Sequence, residues 1–339
     1  MAKITLGGDP ATEKQEEKRK GERLKQSTLK GFLEKKFRPW AEANRKTGSH
    51  MAQRIESAFS EFLDRPLEDI SPWIIEKWRK GRFEQGRTVG TVNRDIATLK
   101  SCLSRAVDWH VIEEHPLRRL KLAREDSQGV VRYLSVDEEK RLLLALKTRD
   151  MEIKLKRASG NKWRRSRKRP PLPEITSSYS DHLTPMVILS LNTGMRRGEI
   201  FHLQWNDIDF DNKTLVVRGE KAKSGKTRHI SLNRTALNVL QAWHDQCSTS
   251  STLVFPGREG NPLDNIRRSW EGLLQRANIQ SFRWHDMRHH FASKLVMAGV
   301  DLNTVRELLG HTDLKMTLRY AHLAPEHKAA AVEKLEVQY

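Results

Sequence analysis

At 339 residues the chain is long enough for about two domains with real cores, which excludes a peptide-sized or disulfide-stapled scaffold. Lys and Arg number 62 against 43 Asp and Glu, a net charge of +19 that points to a polyanionic partner, nucleic acid first. No apolar stretch nears the ~20 residues that cross a bilayer, the N-terminus lacks a signal-peptide core, and Cys102 and Cys247 form no Cys-x-x-Cys pair; a cytoplasmic protein without membrane partner, disulfide framework or structural zinc is expected.

Residues 1–28 mix charges too densely to bury a core, and read as a solvated helix or tail. From 29 to 123 the pattern is helical: Val92, Ile96, Leu99, Leu103 and Val107 make one apolar stripe, so this stretch is expected to be an all-helical domain. Polar residues come next, and 124–133 reads as a linker. A second domain is expected over 134–339. Ser135 and Glu138 have capping-box spacing before Leu142, Leu143 and Leu144, so a helix opens there. The stretch 149–171 holds ten Lys or Arg against two acids; its Gly160, Pro170 and Pro171 suggest a mobile basic loop rather than a continuous helix. A helix is expected over Leu183 to Asn192. Residues 214–218 and 227–232 alternate like strands around the turn Ala222-Lys-Ser-Gly225, a β-hairpin, and the chain is helical again beyond it.

Chemistry can reside in Thr193-Gly-Met-Arg-Arg-Gly-Glu-Ile200, in Lys223 at the hairpin tip, in His285-Asp-Met-Arg-His289, and in Leu309-Gly-His-Thr312 followed by Tyr320. Each alone has an ordinary explanation. Arg196 can pair with Glu199 on a helix surface, Lys223 can serve solubility beside Lys221 and Lys226, His285 and Arg288 can be a surface pair, and Tyr320 can be a packing residue. Residues 302–322 also suit a helix-turn-helix DNA reader.

Together and in this order, the segments resemble the tyrosine recombinase, or phage-type integrase, family over about residues 30–325. The family's Arg motif matches Arg196 with Gly198 and Glu199; its His-x-x-Arg matches His285 and Arg288; its Leu-Gly-His with a tyrosine nine residues on matches His311 and Tyr320; its hairpin lysine falls on Lys223. The chain departs from it with His115-Pro116 for Asn-Pro and with Ser231 where relatives have Pro before the strand-ending Leu. The stretch 149–171 reads as an insertion.

The resemblance implies a mainly α fold with a small antiparallel β-sheet: an all-helical core-binding domain plus an α+β catalytic domain. It implies a site-specific recombinase that cleaves and rejoins DNA through a 3′-phosphotyrosyl intermediate, integrating or excising a mobile element without metal, ATP or other cofactor. Tyr320 would attack, Arg196 and Arg288 clamp the non-bridging oxygens, Lys223 protonate the leaving 5′ oxygen, His285 serve the proton of Tyr320, His311 hydrogen-bond the phosphate, and Glu199 orient the site from behind. Partners would be duplex attachment sites, further copies in a homotetramer joined through the C-terminal tail, and accessory DNA-bending or directionality proteins, in a bacterial cytoplasm at the nucleoid. The alternatives are a non-catalytic helix-turn-helix regulator and a type IB topoisomerase-like enzyme.

Overall fold

The computed structural model describes residues 28–125, 131–219, 225–247 and 251–324. Residues 1–27, the hairpin tip with Lys223, and the tail 325–339 expected to dock on a neighbouring copy lie outside the described residues. The chain is mainly helical with a small antiparallel sheet, and it divides between residues 127 and 128 into two compact units. Among the described residues no helix is long and apolar enough to cross a membrane.

In the first unit, side-chain caps start the helices. Thr28 accepts the Gly31 N–H ahead of α1 (Leu29–Phe32), which runs through a π-turn into α2 (Arg38–Asn44). After α3 (Gly48–Ala58), Ser71 caps α4 (Pro72–Glu84), and Thr88 caps α5 (Val89–Asp108). The stripe on α5 is real: Val92, Ile96, Leu99 and Leu103 are fully buried and Val107 packs against them. They meet Phe32, Phe37, Phe59 and Trp78, with the Phe59 and Trp78 rings 4.3 Å apart. Each such side chain contributes about 1.5–3 kcal/mol. Cys102 lies in this core, where burial pushes its thiol pKa far up, so it packs as an apolar residue. Asn93 holds the end of the unit, exchanging two hydrogen bonds with the backbone of Ala123.

The second unit opens with α6 (Val136–Ser166), started by the reciprocal capping box of Ser135 and Glu138. The helix is 31 residues long and continuous through Gly160, so the mobile basic loop expected over 149–171 is instead helix to Ser166 with a returning segment laid along it. The physical reason is a ladder of long side chains. Lys154 donates to the carbonyls of Ser177 and Ser178, Arg157 to Pro173 and Arg164 to Pro170; Asn161 exchanges two 2.8 Å bonds with the backbone of Leu172. Lys and Arg are also good helix formers, and one glycine costs only about 1 kcal/mol. Further on come α7 (Leu183–Thr193), α8 (Arg197–Phe201) and the sheet β1 (Ile208–Asp209), β2 (Thr214–Val217) and β3 (Arg228–Ser231), antiparallel in the order β1-β2-β3. Val217 pairs with Arg228 and Leu215 with Ile230, so Arg228 and Ile230 share the inward face. Helices α9 (Arg234–Gln246), α10 (Arg267–Arg276), α11 (Asp286–Met297) and α12 (Leu302–Leu309) complete the unit, whose core joins Leu142, Leu146, Met186, Leu189, Trp243, Phe255, Trp270 and Met287.

A smaller cluster of Val131, Ala292, Val296, Val305 and Leu309 closes around Tyr320. After α12 come two short 3₁₀ turns, Leu314–Met316 and Leu318–Leu323, the second carrying the buried Tyr320. Among the described residues no recognition helix succeeds the turn, so the helix-turn-helix reading of 302–322 fails.

Candidate active site

Two left-handed glycines shape the floor of the site. Gly194 (φ +60°) ends α7 and Gly310 (φ +62°) ends α12; a Cβ at Gly194 would sit 2.5 Å from Phe291, and one at Gly310 2.7 Å from Arg228. Both helices therefore stop with carbonyls aimed at one place, and carbonyl ends of helices attract cations. The guanidinium of Arg288, from α11, donates to the carbonyls of Gly194 (2.8 Å) and Leu309; Arg228 donates to Leu308 (3.3 Å).

Glu199 sits among these cations, 5 % exposed. Its carboxylate accepts the backbone N–H (2.8 Å) and a guanidinium N–H (3.0 Å) of Arg196, and two parallel bonds from Arg228 at 3.0 and 2.7 Å. Burial opposes its charge, but the hydrogen bonds and charge of Arg228, then Arg196, outweigh that and hold the carboxyl below its usual range. The ordinary pairing of Arg196 with Glu199 is thus present, and it aims the guanidinium inward. Arg288 is 3 % exposed, and burial together with the charge of Arg196 pushes its pKa down to about 9. It remains charged at neutral pH, crowded by like charge, so an anion arriving there would relieve repulsion.

The histidines divide by position. His285 sits at the cap of α11, and burial and the charge of Arg288 lower its pKa. The buried His311 hydrogen-bonds the Thr317 hydroxyl at 2.8 Å; burial, Arg288 and Arg196 push it down to about 3. His289, one turn after His285 with the rings 5.1 Å apart and perpendicular, makes a 2.6 Å hydrogen bond to the Tyr320 hydroxyl. Tyr320 is 1 % exposed, and burial pushes its phenol up to about 12 although Arg288 and Arg319 pull the other way. The side chain touching the Tyr320 hydroxyl is therefore His289, where His285 was expected, because one helical turn separates the two rings. His290, next in line, faces elsewhere and accepts the Leu134 N–H.

The fold thus gathers Arg196, Glu199, Arg288 and His311 around the ends of α7 and α12, and places His285 and Tyr320 where the charge of Arg288 bears on both. Lys223 lies outside the described residues. Two site residues escaped the sequence reading. Arg228 had a signal: it alternates with Ile230, placing a charge on the core face of a strand. His289 had a weaker one, its spacing of four from His285.

Residues 173–327 match the phage integrase family, and that stretch carries every site residue described above. The integrase of Salmonella phage P22 is 35% identical over 158 residues, covering 43% of this chain and 40% of that protein. Over that stretch the chain is similar to phage integrases and tyrosine recombinases. A XerC-like tyrosine recombinase of Caldanaerobacter subterraneus is similar over a longer stretch, 24% identical over 315 residues, 81% of this chain and 73% of that one. The alignment to the P22 integrase spans under half of that relative's length, whereas two solved structures are matched almost whole. The Tn1549 transposon integrase in complex with a circular intermediate DNA superposes with TM-score 0.68 at 20% identity, over 91% of this chain and 100% of that one. A lambda integrase dimer bound to a core site gives 0.63 at 18%, over 85% and 97%. At such identities the likeness is one of fold.

Proposed function

We propose that this protein is a site-specific DNA recombinase that cleaves and rejoins duplex DNA through a 3′-phosphotyrosyl bond to Tyr320, integrating or excising a mobile element. One observation carries the reading: α11 bears both the deeply buried Arg288 and, next to it in the chain, His289, whose Nδ1 hydrogen-bonds the Tyr320 hydroxyl at 2.6 Å, so clamp and nucleophile meet on one helix. Arg196 and Arg288 would hold the two non-bridging oxygens of the scissile phosphate by planar, paired hydrogen bonds, with His311 as a third donor. Glu199, itself gripped by Arg228, holds Arg196 from behind. Lys223 would protonate the departing 5′ oxygen. The phosphotyrosyl bond conserves the energy of the broken one, so a different 5′-hydroxyl can reverse the step without ATP. The DNA-bound relatives and the +19 charge support duplex DNA as the partner. The rest of the reading is a homotetramer on paired attachment sites, joined through residues 325–339, with accessory DNA-bending proteins, working at the nucleoid in the cytoplasm.

The deciding experiment incubates the protein with DNA flanking its own gene and seeks a covalent protein–DNA adduct. Tyr320→Phe keeps the ring's packing and removes the nucleophile, so it should bind DNA normally and form no adduct. An adduct from the Phe variant would sink the assignment.

A further inference from the structure

We propose that His289, rather than His285, is the catalytic proton acceptor for Tyr320. The inference rests on the recombinase reading above and names a residue that reading leaves without a role. Three observations support it. First, the phenol is buried and must place its one hydrogen somewhere; among the described residues its hydrogen-bond partner is Nδ1 of His289, at 2.6 Å. Second, the imidazole is held there rather than swinging freely: it projects from α11, its ring lies 5.1 Å from that of His285 at 86°, and it meets the tyrosine ring at 5.8 Å. Third, His285 lies a turn away at the helix cap, beside Arg288, where it suits the phosphate better than the phenol.

The electrostatics agree with the geometry. Burial and the neighbouring His285 push His289 down to about 4, so it is neutral at pH 7 and has a lone pair to offer. The phenol, pushed up to about 12, is a poor nucleophile until its proton is taken. A phosphodiester entering the site brings negative charge, which raises the proton affinity of the imidazole when it is needed. The step then balances. The Oη–H bond breaks and the proton passes to His289 Nδ1; the oxygen's electron pair forms the bond to phosphorus; the bond from phosphorus to the 5′ oxygen breaks, and that oxygen takes a proton from the proposed acid, Lys223. In the rejoining step His289 returns its proton to the departing phenolate.

The test uses single-turnover cleavage of a nicked duplex carrying the site found in the adduct assay. His289→Asn puts an amide near the position of Nδ1, so it can keep the hydrogen bond but cannot take the proton. It should slow adduct formation by about 10²- to 10⁴-fold at unchanged DNA affinity. A substrate with sulfur in place of the leaving 5′ oxygen needs no acid, so it should rescue Lys223→Ala and leave the His289→Asn defect intact. Replacing Tyr320 by 3-fluorotyrosine, a more acidic phenol, should restore His289→Asn at least about tenfold more than it alters the wild type, which a packing role would not produce.

Cleavage by His289→Asn within a few-fold of wild type, rescue by the sulfur substrate, or no differential gain from fluorotyrosine would each overturn the assignment. Should that variant fail to fold, nitrogen NMR of the wild-type imidazole decides. A proton on Nε2 at pH 7 is expected, and one on Nδ1 makes acceptance impossible. A wild type that forms no adduct overturns the recombinase reading itself and this inference with it, a result distinguishable from a defect confined to His289→Asn.

Discussion

Glu199 shows how much of the site depends on one buried acid. It answers Arg196 and Arg228 at once, so truncating Arg228 leaves a carboxylate buried with half its partners gone. Arg228→Ala should destabilise the second unit by about 3–5 kcal/mol, read as a drop in melting temperature, with a smaller loss when Glu199→Gln accompanies it. For Arg196→Lys or Arg288→Lys the charge survives and the planar fork does not; cleavage should fall by roughly 10³-fold with DNA affinity nearly kept. Cleavage within a few-fold of wild type would remove that arginine from the clamp. The histidines set a pH dependence. His289 and His311 have folded pKa values of about 4 and 3, below the unfolded 6.5, so the unfolded chain binds their protons first as pH falls. Their contribution to stability is complete above about pH 6.5 and is lost progressively below it, towards the folded values. That of Glu199, whose folded pKa is also lowered, is present above its unfolded value and fails only in stronger acid. Thermal melts should therefore weaken between pH 7 and 5, and His311→Asn should flatten that slope; an equal slope would mean that His311 titrates normally in the folded protein.

The long helix α6 is where local signals and the observed element parted. Gly160 and the two prolines looked like punctuation, yet the helix runs through the glycine and stops at Ser166, four residues before Pro170. A Cβ at Gly160 would meet nothing within 4 Å. Gly160→Ala should accordingly stabilise the second unit by up to about 1 kcal/mol in denaturant melts, and a loss of stability would mean that the helix is not continuous there. The far end of the element is strongly basic. Arg167 and Arg169 lie over the Trp163 ring, at 4.2 and 5.5 Å from its centroid, and with Lys162 and Lys168 they have no ion-pair partner among the described residues. If this end meets the DNA backbone, changing these four to Gln should weaken binding to specific and random duplexes alike. The log-log salt dependence should then flatten by up to about 0.9 for each phosphate no longer neutralised. An unchanged slope would assign the charge to another partner.

Each unit carries its own core. One core draws on residues from Leu29 to Leu120; the other clusters, with the whole of the described site, begin at Val131. A fragment of residues 131–339 should then unfold cooperatively at a temperature within a few degrees of its transition in the full chain, as read by calorimetry. A fragment without a cooperative transition would mean that the helical unit completes the second fold.

The elements were legible because their signals are local. The α5 stripe, the Ser135 capping box, the hairpin strands and the glycines after Thr193 and Leu309 each arise from short-range periodicity or a backbone requirement that only a few residue types meet. The residues proposed for the site were read the same way, since Arg196, His285, Arg288, His311 and Tyr320 stand in an order that resembles the family's. What only the tertiary structure decided was which of them touch. Three histidines within six residues have three neighbourhoods: the cap beside Arg288, the Tyr320 hydroxyl and the Leu134 backbone. Arg228 became the second support of Glu199 because β3 faces it inward across residues 29 positions apart. The continuity of α6 likewise depended on a segment 11 to 24 residues further along returning to accept its hydrogen bonds. Contacts of that kind are set by packing between segments distant in the chain, and no local pattern of residues encodes them.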